Sequence, residues 1–291
     1  MATKALGAIS DSPYVNENHE LFQDTRNMAQ KNCDLIISLG RELLYYADIA
    51  NALWHDSQLT TYDHCDKKKE WNKESRGCVV FLTGLNGHPG IWKGQLAKLK
   101  DTPAIDRFIP YIPESGDCVL ETAAVPILKV VEDYTKTHPG KRICLIGVSN
   151  GARIATYIET KLRTIAPNTP VKISTIAGAH FGSRWADFFK NLGMPAIPKH
   201  SGPLMAELLF GGKKAKELLD EVQKPLPANV IRSYQFFATT EDTTIIDLCS
   251  AIPKTAAIER SYRVLNGHGH NSIVNAVAEE QMRDCLNWLR A

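Results

Sequence analysis

The chain turns on the stretch Arg142-Ile143-Cys144-Leu145-Ile146-Gly147-Val148-Ser149-Asn150-Gly151-Ala152-Arg153-Ile154. Ile143 to Ile146 is a short apolar run, the pattern of a strand buried on both faces. Ile154, Ile158 and Leu162 then recur at helical spacing, which predicts a helix. Between the two, Gly147-Val148-Ser149-Asn150-Gly151 places a serine on a sharp strand-to-helix turn. Such a turn strains the serine backbone and lifts its hydroxyl clear of the sheet. Glycine at 147 and 151 removes the Cβ atoms that would hold strand and helix apart. The helix start also points unpaired N–H groups at the region where negative charge would develop.

On either side of this stretch, strands alternate with helices. Gly77–Leu82, Arg107–Ile112, Val171–Ala177, Ser233–Ala238 and Ser261–Leu265 read as further strands. Helices are predicted over 91–100, 119–137 and 271–289. This alternation implies an α/β fold with a mainly parallel sheet covered on both faces. Ligands in such sheets sit at the carboxyl ends of the strands.

Two segments stand outside the alternation. Residues 1–16 read as a loose tail, and 19–54 as a helical extension that Gly40 is expected to split in two. That extension could be a packing element, a lid or a partner-binding arm. Residues 58–76 read as a surface connection. Residues 183–231 carry Trp185, Phe188, Phe189, Leu204, Met205, Leu208, Leu209 and Phe210. They are expected to form two or three short helices, either a cap over a greasy substrate or more core. The organisation is therefore a tail and helical extension over 1–75, packed on one α/β domain over 76–291.

Composition narrows the function. With 291 residues and 44% apolar content the chain can bury a sizeable core. A formal charge of +2 gives no field for nucleic acid or a charged membrane. There are seven cysteines, but no Cys-x-x-Cys pair and no Cys/His spacing that would hold a metal. Reduced thiols, no signal-peptide pattern and no apolar run long enough to span a bilayer point to a cytoplasmic protein without an integral membrane segment. Transient contact with a membrane surface stays open. The oligomeric state is not legible.

A serine hydroxyl needs a base, usually histidine, oriented by a buried carboxylate. In a sheet of this kind the chain order is serine, acid, histidine. After Ser233–Ala238 comes Thr239-Thr240-Glu241-Asp242-Thr243-Thr244, where Asp242 is the candidate acid, ahead of Glu241 and the more distant Asp247. After Ser261–Leu265 comes Asn266-Gly267-His268-Gly269-His270-Asn271-Ser272. His270, where the last helix begins, is the preferred base and His268 the alternative. An oxyanion hole needs two backbone N–H groups. Asn150 at the helix start is one candidate. Leu85, in the loop Thr83-Gly84-Leu85-Asn86-Gly87-His88-Pro89-Gly90, is the other.

Together these residues resemble the α/β-hydrolase superfamily, and within it the lipase-like serine esterases. Phe81 to Gly87 is similar to the oxyanion strand and loop of that group. Gly147 to Gly151 is similar to its elbow, and Thr175 to Ser183 to the segment after the next strand in intracellular lipases. Glu241-Asp242 and Gly269-His270 fall at the acid and base positions. The resemblance covers about residues 77–290. It departs at Thr83, where the family usually has a structural histidine. It implies a cofactor-independent serine hydrolase acting on carboxylic esters, lipid or other acyl esters. Ser149, Asp242 and His270 would be the triad, with Leu85 and Asn150 holding the oxyanion. An acyltransferase on the same fold, or a catalytically silent interaction protein, are the alternatives.

Overall fold

The computed structural model describes residues 15–16, 23–24, 26–55, 61–184, 186–187, 203–255 and 259–291. Six parallel strands form the main sheet: β1 (Gly77–Leu82), β2 (Ile105–Phe108), β3 (Arg142–Val148), β4 (Val171–Ile176), β5 (Arg232–Thr239) and β6 (Glu259–Leu265). Their spatial order is β2-β1-β3-β4-β5-β6. The serine strand β3 is therefore central, and β5 and β6 lie together to one side of it.

Side chains of β1 and β3 alternate between two buried cores, as the period of an extended chain requires. Cys78, Val80, Leu82, Ile143 and Leu145 enter one core; Val79, Phe81, Cys144, Ile146 and Val148 enter the other. Each large side chain removed from water in this way contributes about 1.5–3 kcal/mol. Helices supply the two covers. After α1 (Met28–His55) come α2 (Lys93–Leu99), α3 (Leu120–Thr137), α4 (Asn150–Ile165), α5 (Pro203–Glu207), α6 (Lys213–Gln223), α7 (Leu248–Ala251), α8 (Ser272–Ala276) and α9 (Ala278–Arg290). Ile127, Val131, Ile154, Ile158 and Leu162, from α3 and α4, fill the first core. Leu96 and Leu99 of α2 and Met282, Cys285 and Leu289 of α9 fill the second.

Several expectations change in detail. The second strand runs over Ile105–Phe108 rather than 107–112. The closing helix is two helices, α8 and α9, that meet at Val277. Gly40 does not divide the N-terminal helix: α1 runs unbroken through it for 28 residues. A mid-helix glycine costs about 1 kcal/mol but removes no hydrogen bond, so a long helix tolerates it. Within the expected extension Gln23–Asp24 is extended rather than helical, pairing antiparallel with Val15–Asn16. Most of the expected tail, residues 1–14, lies outside the described residues. So do Trp185, Phe188 and Phe189 of the expected cap. In the part of 183–231 that is described, α5 and α6 are helical, and Leu204, Leu208, Leu218 and Val222 belong to the first core.

Candidate active site

Ser149 stands between β3 and α4 with φ 55° and ψ −122°. L-residues rarely adopt this backbone conformation, and surrounding packing must impose it. The two flanking glycines are where that packing acts. A Cβ on Gly151 would lie 2.0 Å from the Leu82 carbonyl oxygen, and one on Gly147 would lie 2.4 Å from the Gly151 oxygen. Gly84 passes under the serine: a Cβ there would come 2.9 Å from Ser149 Cβ. Strand, helix and the loop after β1 thus meet through three residues without side chains. The Ser149 N–H donates to the Ile176 oxygen at 3.0 Å, and the Ser149 oxygen accepts from Ala179 N–H at 3.3 Å. The turn is stitched to the end of β4.

Asp242 and His270 meet at the same end of the sheet. His270 Nδ1 lies 2.8 Å from Asp242 Oδ2 and 3.0 Å from Oδ1. An ionised carboxylate only accepts, so Nδ1 carries the proton and Nε2 keeps a lone pair. Asp242 is fixed by its own turn, where Oδ1 accepts from Thr244 N–H at 2.8 Å and Ile245 N–H at 2.7 Å. Burial alone would push the His270 pKa down, but the negative charge and hydrogen bond of Asp242, with help from Glu42, bring it above the ordinary 6.5. Among the described residues no hydrogen bond joins the Ser149 hydroxyl to His270.

Asn150 follows Ser149 in the chain, and Leu85 follows Gly84, the glycine that approaches Ser149 Cβ. Asn150 is buried at the first position of α4, where a helical N–H has no partner within its own helix. Leu85 follows Gly84 on the loop after β1. That loop is held by Asn86 N–H donating to the Ser115 oxygen at 2.8 Å and Gly87 N–H to the Gly84 oxygen at 3.0 Å. The Asn150 side chain reaches across, donating to the Gly116 oxygen at 3.4 Å and accepting from Arg153 at 3.1 Å. Among the described residues no three of His, Cys, Asp and Glu stand close enough to share a metal ion. No described helix is long and apolar enough to cross a membrane.

By sequence, no family model and no curated protein matches this chain. Solved structures do. Est1E from Butyrivibrio proteoclasticus, with ferulic acid bound, is 16% identical with a TM-score of 0.54, over 75% of this chain and 91% of that one. A metagenome-derived lipolytic enzyme of the LipS and LipT pair is 15% identical with a TM-score of 0.53, over 74% and 94%. Lipase B of Aspergillus fumigatus is 14% identical with a TM-score of 0.51, over 75% of this chain and 52% of that one. The chain has the α/β-hydrolase fold.

Within that fold the two histidines of the loop after β6 differ sharply. His268 does not meet Asp242: its Nδ1 is buried without a partner, and its backbone oxygen accepts from Thr239 Oγ1 at 2.6 Å. Burial and the nearby Arg41 push its pKa down to about 4. Glu241 is engaged elsewhere as well, with Arg26 and with the Gly267 N–H. Asp247 pairs with Arg184 at 2.7 Å.

Other residues bear on the site and were not singled out in the sequence. Thr83 stands where the resemblance noted above implies a histidine. Here the hydroxyl of Tyr62, from the segment preceding the core, donates to the Gly87 oxygen, with the Thr83 hydroxyl as its neighbour. His180 is fully buried between Thr156 and Thr175 at 3.3 Å each, and burial drives its pKa down to about 3. Arg26, Arg41 and Glu42 come from α1 and the residues just before it. The one local trace of these last three is the spacing Gly267-His268-Gly269. A Cβ on Gly269 would stand 2.4 Å from Glu42 Oε1, and one on Gly267 would stand 3.1 Å from Arg41 Nη1.

Proposed function

We propose that this protein is a serine hydrolase that cleaves carboxylic esters through Ser149, His270 and Asp242. The observation that carries the reading is the His270–Asp242 pair, which leaves Nε2 free to accept a proton at the sheet end where Ser149 sits on its strained turn. Two of the structural neighbours, a lipolytic enzyme and a lipase, agree with an ester substrate.

In this mechanism Ser149 Oγ attacks the ester carbonyl while its proton passes to His270 Nε2. The carbonyl oxygen gains negative charge and is held by the N–H groups of Leu85 and Asn150. His270, now charged and stabilised by Asp242, gives the proton to the leaving alcohol. Water then enters, loses a proton to His270 and attacks the acyl-enzyme, which releases the acid and restores Ser149. The described apolar residues of the insertion, such as Leu204 and Leu208, are committed to the core.

A fluorophosphonate probe tests the chemistry. Wild type should label at Ser149 and hydrolyse a short p-nitrophenyl ester. Ser149→Ala should abolish labelling and lower kcat by about 10⁴-fold or more. Labelling that survives Ser149→Ala would sink the reading. Comparing rates on short and long acyl chains would then define the substrate class.

A further inference from the structure

The loop that carries His270 is braced by a helix that precedes the hydrolase core. Glu42 of α1 is the centre of that brace. Its Oε1 accepts from the backbone N–H groups of Asn271 and Ser272, each at 2.8 Å. Its Oε2 accepts from the Asn271 side chain at 3.3 Å. These are the two residues that follow His270, so the carboxylate grips the chain directly beside the imidazole. One turn away, Tyr46 Oη accepts from the same Asn271 amide at 2.8 Å.

A second contact lies on the other side of the loop. Arg41 Nη1 donates to the Gly267 oxygen at 2.8 Å. Arg26, before α1, pairs with Glu241, whose other oxygen accepts from Gly267 N–H. The base loop and the acid turn are thereby tied to one external element. Gly267 and Gly269 permit this, since a side chain at 269 would occupy the place of the Glu42 carboxylate.

We propose that Glu42 is a positioning residue for the base: through it, α1 sets the orientation of the His270 ring toward Ser149. Its kinetic consequence rests on the ester-hydrolase reading above. The charged and titratable groups around His270 are Asp242 from the acid turn and Glu42 from α1, with His268 on the same loop and Arg41 beside it. Glu42 adds negative charge near the ring, so removing that charge makes the imidazolium less favourable and lowers the pKa of the base.

Two variants of the full-length chain separate position from charge. Glu42→Ala removes both, and kcat should fall about ten- to hundredfold, the scale of a misplaced catalytic group. KM should stay within about twofold. Glu42→Gln keeps an acceptor for the Asn271 and Ser272 N–H groups. It should recover most of kcat while the acidic limb of kcat/KM moves to lower pH. A Glu42→Ala variant with wild-type kcat would overturn the proposal. So would equal loss in both variants with a lower Tm and an unmoved limb, which would make Glu42 purely structural.

A turnover-free readout keeps the two readings distinct. The His270 ring, titrated by NMR, should show a lower pKa in Glu42→Gln than in wild type. Equal values overturn the role of Glu42 whether or not the chain cleaves esters. A lowered value in a chain that cleaves none leaves Glu42 as the partner of the base loop and removes the ester-hydrolase reading instead.

Discussion

The elbow at 147–151 and the base loop at 266–272 are both short, glycine-bearing turns at the carboxyl end of the sheet, yet they are held by opposite means. The elbow is held by backbone: a Cβ at Gly151 or Gly147 would come to 2.0 or 2.4 Å from a carbonyl oxygen, an atom that cannot move without dismantling β1 or α4. The base loop is held by side chains, chiefly Arg41 and Glu42, from more than two hundred positions earlier in the chain. Under the proposed mechanism, rigid backbone suits a serine that must attack from a strained φ/ψ, and side-chain struts suit a histidine that must turn between that serine and the leaving group.

The largest test of this contrast is at the histidines themselves. His270→Ala should lower kcat by about 10³-fold or more, whereas His268→Ala should cost less than about tenfold. Steady-state kinetics of the two variants decide it, and the reverse order would move the base to His268.

Next in size is a pair of glycine substitutions. Gly151→Ala drives a methyl group into the Leu82 oxygen and should cost more than about 4 kcal/mol, seen as a collapse of Tm or loss of soluble protein. Gly269→Ala meets the end of a flexible side chain, which can swing away, so Tm should fall only a few degrees. Its kcat should nonetheless drop about tenfold, because Glu42 is displaced. Equal Tm losses in the two variants would erase the distinction between backbone-held and side-chain-held turns.

Acid stability gives a smaller effect of known sign. His180 is neutral and buried, with its pKa depressed to about 3, while an unfolded histidine titrates near 6.5. Between those values the unfolded chain binds more protons, so stability is intact above about pH 6.5 and falls as pH falls toward 3. The loss approaches about 1.4 kcal/mol per pH unit, or about 2 kcal/mol by pH 5. His270, with a raised pKa, acts in the opposite sense: its contribution is complete below about pH 6.5 and fades as pH rises through its folded value. Denaturant unfolding at pH 7 and pH 5 measures the net. A His180→Gln variant should show a smaller loss between the two, and an unchanged loss would place the acid sensitivity elsewhere.

Smallest is the strut to the loop after β1, the proposed oxyanion loop. Tyr62→Phe removes one hydrogen bond to the Gly87 oxygen and should cost about 1 kcal/mol of stability, with a few-fold loss of kcat. No change in either would leave the Thr83 position without a substitute for the missing histidine.

The sheet was legible because its strands are apolar runs bounded by glycine and polar residues. The elbow was legible because steric demands on a tight turn fall on adjacent positions. Where periodicity was diluted, legibility failed. The ends of β2 moved because Ile109 and Ile112 are apolar but lie past the ladder, with Ile109 N–H bonded instead to the Asp63 side chain at 2.9 Å. Val277 joins the second core, so nothing in the apolar pattern marks the break between α8 and α9. At the candidate site, Asp242 and His270 could be placed at strand ends, but two histidines separated by one glycine look alike in a sequence.

Ser149 on its turn, the parallel sheet and the apolar faces of α3, α4 and α9 follow from the amino-acid sequence by itself, since each depends on neighbours within a few residues. Which histidine meets Asp242, and that Glu42 and Arg41 grip the loop between them, was decided only by the folded chain. Those contacts join residues separated by 28 to 230 positions, and no local period or turn preference encodes a pairing over that distance.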